Sequence, residues 1–226
     1  VESYELLFSE WHAKFREKGL TALVGCGSAP GLANVMARES VDKMDTCDRI
    51  GIYIYEGLKT RLFTPFWWSP EVAFKDMAYQ TFRYENGVHV TDEPFSRPVM
   101  MKLRGIDREV RMVDHEHDEP VTMWLLADKV LKGVKNVDFK YGGCGVELSQ
   151  LLYNMGLLSK EPVTVKGTSI VPMDLDKHAG EYAGIRRFGL LSGWASTATY
   201  GPVRCVAVTA ATRGCCVIAK QGAFYI

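Results

Sequence analysis

Long apolar runs are missing from this sequence. None approaches the ~20 residues that a helix needs to span a membrane. Excess charge is missing too: 27 lysines and arginines face 27 aspartates and glutamates. A neutral chain offers no electrostatic reason to bind nucleic acid or an anionic membrane. The 6 cysteines, Cys26, Cys47, Cys144, Cys205, Cys215 and Cys216, form no Cys-x-x-Cys pair. Scattered thiols in 226 residues point to a reducing, cytoplasmic setting rather than a disulfide framework. The adjacent Cys215 and Cys216 read as ordinary small residues, because nothing beside them would lower a thiol pKa. Internal repeats, low-complexity tracts, a signal peptide and an initiator Met are also absent. Val1 falls inside a helical pattern and Ile226 follows an apolar segment, so the chain is expected to be a piece of a longer protein.

What is present is ordinary globular material. Hydrophobic residues make up 47% and charged residues 24%, enough for a core and for one large domain or slightly more. Residues 2–18 place Tyr4, Leu7, Phe8, Trp11 and Phe15 on one helical face, and Gly19 is a plausible stop. Residues 20–24 predict a short buried strand, 25–31 a loop and 32–44 a helix. RIGIYIY at 49–55 predicts a strand. Ser69-Pro70-Glu71 opens a helix to about Gln80. Asn86-Gly87 between RYE and VHV predicts a type I′ hairpin. Residues 94–98 are a proline-bounded loop. Further strands are expected at 109–113 and 134–141. Helices are expected at 122–131 and 147–158, the latter with Leu148, Leu151, Leu152 and Met155 inward. From Gly201 the pattern fits a strand or a buried helix. Strands joined by hairpins as well as helices indicate a mixed α and β architecture.

The stretch LTALVGCGSAPGLANVMA, residues 20–37, imitates a dinucleotide fingerprint. An apolar segment, Gly25-x-Gly27, a helix, a strand and then Glu56 follow the order of that unit. Pro30 occupies the third glycine position, where a tiny residue is required, and it removes a backbone donor. Pro30 instead suits the first turn of a helix. Three readings stay open: a tight turn without a ligand, a phosphate or carboxylate site at a helix N-terminus, and a true dinucleotide unit spanning residues 25–56.

Gly25-x-x-x-x-Pro30-Gly31-x-x-Asn34 resembles the second glycine motif of the saccharopine dehydrogenase family. FWWSPE at 66–71 is similar to that family's Trp-Ser-Pro helix start, and HDEPVT at 117–122 to its Glu-Pro-x-Thr segment. KGVKNVDFKYG at 132–142 is similar to the strand that follows, and GLLSKEPVTVKGTSIVPMD at 156–174 to the later proline-containing link. These motifs keep family order across roughly residues 10 to 190. The resemblance implies an α/β fold with an α+β second domain. Residues 1–48 would be the last helix, strand and junction helix of a Rossmann domain. Residues 49–185 would form a mixed-sheet substrate-binding and dimerisation domain. Residues 186–226 would return to the Rossmann domain. It implies hydride transfer at a carbon–nitrogen bond of an amino acid, with saccharopine, lysine or carboxynorspermidine as substrates of different members. NAD or NADP would be bound mostly by a domain outside this chain, which alone would be inactive, and the enzyme would be a homodimer.

Carried onto these residues, Gly25, Gly27, Pro30 and Gly31 would line the cofactor side of the cleft. Cys26, Ser28, Asn34, Glu71, His117 and Glu119 would face substrate. The alternative of equal weight is that Asn34 only ties the turn. Glu71 stands where saccharopine-type members carry arginine; an acid there suits a substrate amine or a helix dipole. His115-x-His117 with Asp118 and Glu119 reads as a metal pair lacking a third ligand, as a solvated loop or interface, or as substrate contacts. No catalytic residue is evident. A non-catalytic dimerisation module of the same fold is the competing expectation.

Overall fold

The computed structural model describes residues 7–27, 29–57, 70–103, 106–143, 145–175, 203–212 and 215–225. A π-helical turn, Leu7–Trp11, runs into α1, His12–Glu17. Gly19 stops it in the left-handed region, with φ 63°. Its N–H reaches the Arg16 carbonyl and the Leu20 N–H reaches Phe15, a paired C-terminal closure that favours glycine. None of α1 is buried. The strand expected at 20–24 does not form. These residues pair with no strand among the described residues, and Leu20 and Leu23 stand exposed. An apolar segment becomes a strand only where a neighbour accepts its ladder.

α2, Leu32–Asp42, buries Ala33, Met36, Ala37, Ser40 and Val41, a helical stripe facing one layer. β1 is Arg49–Gly57 and α3 is Pro70–Ala78; Trp67, Trp68 and Ser69 lie outside the described residues. β2, Thr81–Glu85, and β3, Val88–Asp92, form the expected hairpin. Asn86 and Gly87 both take positive φ, 50° and 85°, as a type I′ turn requires. β4, Val99–Lys102, precedes β5, Glu109–Asp114. The single helix expected from residue 122 begins earlier and divides into α4, Glu119–Leu125, and α5, Ala127–Val130. Leu126, at φ −109° and ψ 3°, leaves the helical region between them. β6 is Asn136–Gly143 and α6 is Val146–Asn154. Leu151 of α6 and Met155, the residue after it, are exposed rather than inward. β7, Val163–Val165, and β8, Thr168–Ile170, form a separate hairpin. The segment from Gly201 resolves into strands: β9, Val203–Thr212, and β10, Cys215–Tyr225.

The main sheet has 8 strands in the order β10-β9-β1-β6-β2-β3, with β5 also on β6 and β4 on β5. β1 and β6 are parallel, from Arg49↔Asn136 to Glu56↔Gly143. The other pairings are antiparallel. The far edge of β6 is divided. Tyr84 of β2 pairs near its start, and β5 pairs along Lys140 to Gly142. This is the mixed α/β architecture.

Alternation sorts the two faces. Ile50, Ile52, Ile54, Val137, Phe139 and Tyr141 join α2 in the larger core. Each such buried side chain contributes roughly 1.5–3 kcal/mol. The other face carries Tyr55, Leu103, Val110 and Met112. It also carries a buried charge network: Asp114 accepts from Lys140 Nζ at 2.5 Å and from Arg97 Nε at 2.6 Å.

Candidate functional site

Chain geometry first closes the glycine turn. The Gly27 N–H donates to the Pro30 carbonyl at 2.8 Å, and the Leu32 N–H donates to the Gly27 carbonyl at 2.9 Å. The Gly31 N–H donates to Asn34 Oδ1 at 2.9 Å. The Ala29–Pro30 peptide is cis. Three donors of the turn are therefore spent within it. The dinucleotide-unit reading of residues 25–56 fails on two counts: residues 20–24 are not a sheet strand, and these donors do not point to open space.

The chemistry gathers where β5 ends. Residues 115–118 cross from β5 to α4, over the core face of β6. His117 stacks on Phe139, with ring centroids 4.0 Å apart and planes 7° apart. His115 is buried and tilts against Tyr141 at 5.0 Å. Neither histidine sits in a solvated loop, which corrects that expectation. The alternation of β5 continues through residue 115, and the apolar rings of β6 draw both imidazoles in. Glu119, the first residue of α4, is fully buried. Its Oε2 contacts His117 Nδ1, and its Oε1 has no hydrogen-bond partner.

Three more carboxylates surround this couple. Asp76 of α3 has its pKa raised to about 7, first by burial and then by Glu116. Burial and the Asp118 charge raise Glu116 as well. For His117, burial opposes the charge, but Glu119 with Asp118 and Asp76 outweigh it and raise the pKa. For His115, burial and the neighbouring His117 depress it to about 3, so it is neutral. The result is an acidic cluster, with Lys75 as the cation beside Asp76 and Glu116, around an imidazole held through Nδ1. Among the described residues, no three His, Cys, Asp or Glu side chains are grouped to hold a metal ion.

Of the sequence-derived candidates, the structure links Gly27, Pro30, Gly31 and Asn34 within the turn. Asn34 Nδ2 then donates to Thr122 Oγ1 at 2.9 Å, and this contact joins the turn to α4, whose first residue, Glu119, holds His117 of the crossing segment. Gly25 lies in the same turn, at φ 64°, and Cys26 is an exposed free thiol. Ser28 and the side chain of Glu71 lie outside the described residues. Sequence reasoning missed Asp76, Glu116, Thr122 and Phe139. Thr122 and Phe139 stood inside quoted motifs without a role; Asp76 and Glu116 acquire meaning from tertiary approach.

Fold and site together define an α/β domain with a histidine–carboxylate couple at a strand end. No family model matches the chain. Among curated proteins the chain is similar to a carboxynorspermidine synthase of Vibrio alginolyticus, 25% identical over 174 residues. The match covers 74% of this chain and 40% of that protein, so the chain spans about two fifths of the relative's length. Among solved structures it is similar to an apo saccharopine dehydrogenase (L-Glu forming) from Saccharomyces cerevisiae. That alignment has 12% identity and a TM-score of 0.44, covering 87% of this chain and 59% of the other. A superposition so loose transfers no residue roles. The sequence similarity is thus to a carboxynorspermidine synthase, while the ordered motifs resemble the saccharopine dehydrogenase family.

Proposed function

We propose that this chain is the substrate-binding part of a saccharopine dehydrogenase-like oxidoreductase. The enzyme transfers hydride at a carbon–nitrogen bond of an amino compound. The observation that carries this reading is the His117–Glu119 couple set among Asp76, Glu116 and Asp118. Carboxylates gathered around His117, with Lys75 as the cation beside Asp76 and Glu116, would attract a substrate ammonium. Glu119 fixes the His117 imidazole through Nδ1, and His117 Nε2 would take or return the proton of the reacting nitrogen. NAD or NADP would supply or accept the hydride. The internally bonded glycine turn does not fit a pyrophosphate cradle; it suits the wall of a cleft beside the reacting groups. In this reading residues 1–48 end a Rossmann domain that carries the fingerprint elsewhere, and residues 49–185 hold substrate. The family resemblance adds a cytoplasmic homodimer.

The test follows nicotinamide fluorescence in the protein that carries this chain together with its nucleotide-binding part. Amino acids and diamines are offered with carbonyl partners. Turnover is expected, and His117→Ala should lower kcat/KM by about 10²–10⁴-fold. An unchanged variant, or no turnover with any amino substrate, overturns the reading. Calorimetry on the 226-residue chain should find no tight nicotinamide binding; micromolar affinity would contradict the proposed division of labour.

A further inference from the structure

Between the glycine turn and the His117–Glu119 couple lies a side chain whose amide is used at both ends. Asn34 Oδ1 accepts the Gly31 N–H at 2.9 Å, and Nδ2 donates to Thr122 Oγ1 at 2.9 Å. Thr122 Oγ1 donates in turn to the Glu119 carbonyl at 3.3 Å. Asn34 and Thr122 are 88 residues apart in sequence. We propose that Asn34 is a positioning residue, fixing through Thr122 the start of α4 and hence the presentation of Glu119 to His117. The inference deepens the reading of that couple as the proton-handling group and rests on it.

Direction is dictated by the partners. A backbone N–H can only donate, so Oδ1 must face Gly31 and Nδ2 must face Thr122. Thr122 then accepts from Asn34 and keeps its own proton for the Glu119 carbonyl. Reversing the amide would break both outer contacts. Both anchors are rigid. At Gly31 an added Cβ would come within 2.3 Å of the Gly27 carbonyl, so the turn cannot relax by substitution. On α4, Val121 and Met123 are buried on either side of Thr122. Capping α2 needs only Oδ1; the spent Nδ2 is what extends the connection to the site. Asp76 of α3 and Asp118 act on the His117 charge, and Glu116 and His115 on the crossing segment feel it. Asp118 is the N-cap of α4 and its carbonyl accepts the Thr122 N–H at 3.0 Å, so it moves with the relay, whereas Asp76 belongs to α3 and lies outside it.

The experiment is an NMR titration of the His117 ring in the 226-residue chain, which needs neither nicotinamide nor turnover. Asn34→Ala and Thr122→Val should each lower the proton affinity of His117 at least threefold as Glu119 loosens. The double variant should go no further than the stronger single one, and Thr122→Ser should restore the parent titration. A Thr122→Val titration superimposable on the parent overturns the proposal, as does a shift that Thr122→Ser fails to restore. If Asn34→Ala does not fold, the Thr122→Val and Thr122→Ser pair decides alone. A shifted titration together with an enzyme indifferent to His117→Ala keeps the relay and removes the oxidoreductase reading.

Discussion

Gly31 has a backbone that side chains resist: φ 132°, with no room for a Cβ. Gly31→Ala should therefore destabilise the fold by roughly 2–4 kcal/mol, read as a lower urea midpoint. Its neighbour in function, Asn34, was legible as spacing, because a turn closed on itself leaves a pattern of glycine, proline and amide in sequence. Asp76 and Glu116 were not legible, since their raised pKa values arise only when α3 meets residues 115–118. His115 makes a pH prediction. Its pKa falls to about 3, chiefly through burial, against about 6.5 when unfolded. Between those values the unfolded chain takes a proton that the folded chain refuses, so stability is lost as pH falls from 6.5 toward 3. Asp76, raised to about 7 from 3.8, acts oppositely and costs stability as pH rises through that window. Urea unfolding between pH 7 and 4 should show His115→Phe losing less stability on acidification than the parent.

At the scale of elements, period was readable and partnership was not. The 3.6-residue stripe of α2 and the Asn-Gly hairpin follow from local chemistry, and both stand where the sequence puts them. The apolar side chains of α6 and of residues 20–24 have the same look in sequence, yet Leu151 and Leu23 are exposed at 56% and 79%. Burial needs a second surface, which no local pattern specifies. Two substitutions separate the cases by thermal or urea melting. Leu151→Glu should change stability by no more than about 0.5 kcal/mol. Met123→Ala, in the fully packed half of α4, should cost about 2–5 kcal/mol.

For the whole molecule, strand pairing was the hidden part. β1 and β6 lie side by side although Arg49 and Asn136 are far apart in sequence, and nothing in either strand announces the other. Their outer face stores the network of Lys140, Asp114 and Arg97, with Lys140 and Asp114 both nearly inaccessible. Removing one member strands a buried charge. Lys140→Met should cost about 3–5 kcal/mol, and adding Asp114→Leu should recover part of it in equilibrium unfolding. The divided edge of β6 has a dynamic consequence. One side is zipped along its length by β1, while β2 and β5 each hold only part of the other. Either outer hairpin can open without releasing the whole of β6, so amide exchange should proceed inward from the periphery. The amides of Phe139 to Tyr141 then lose their protons to solvent last, at the rate of global unfolding.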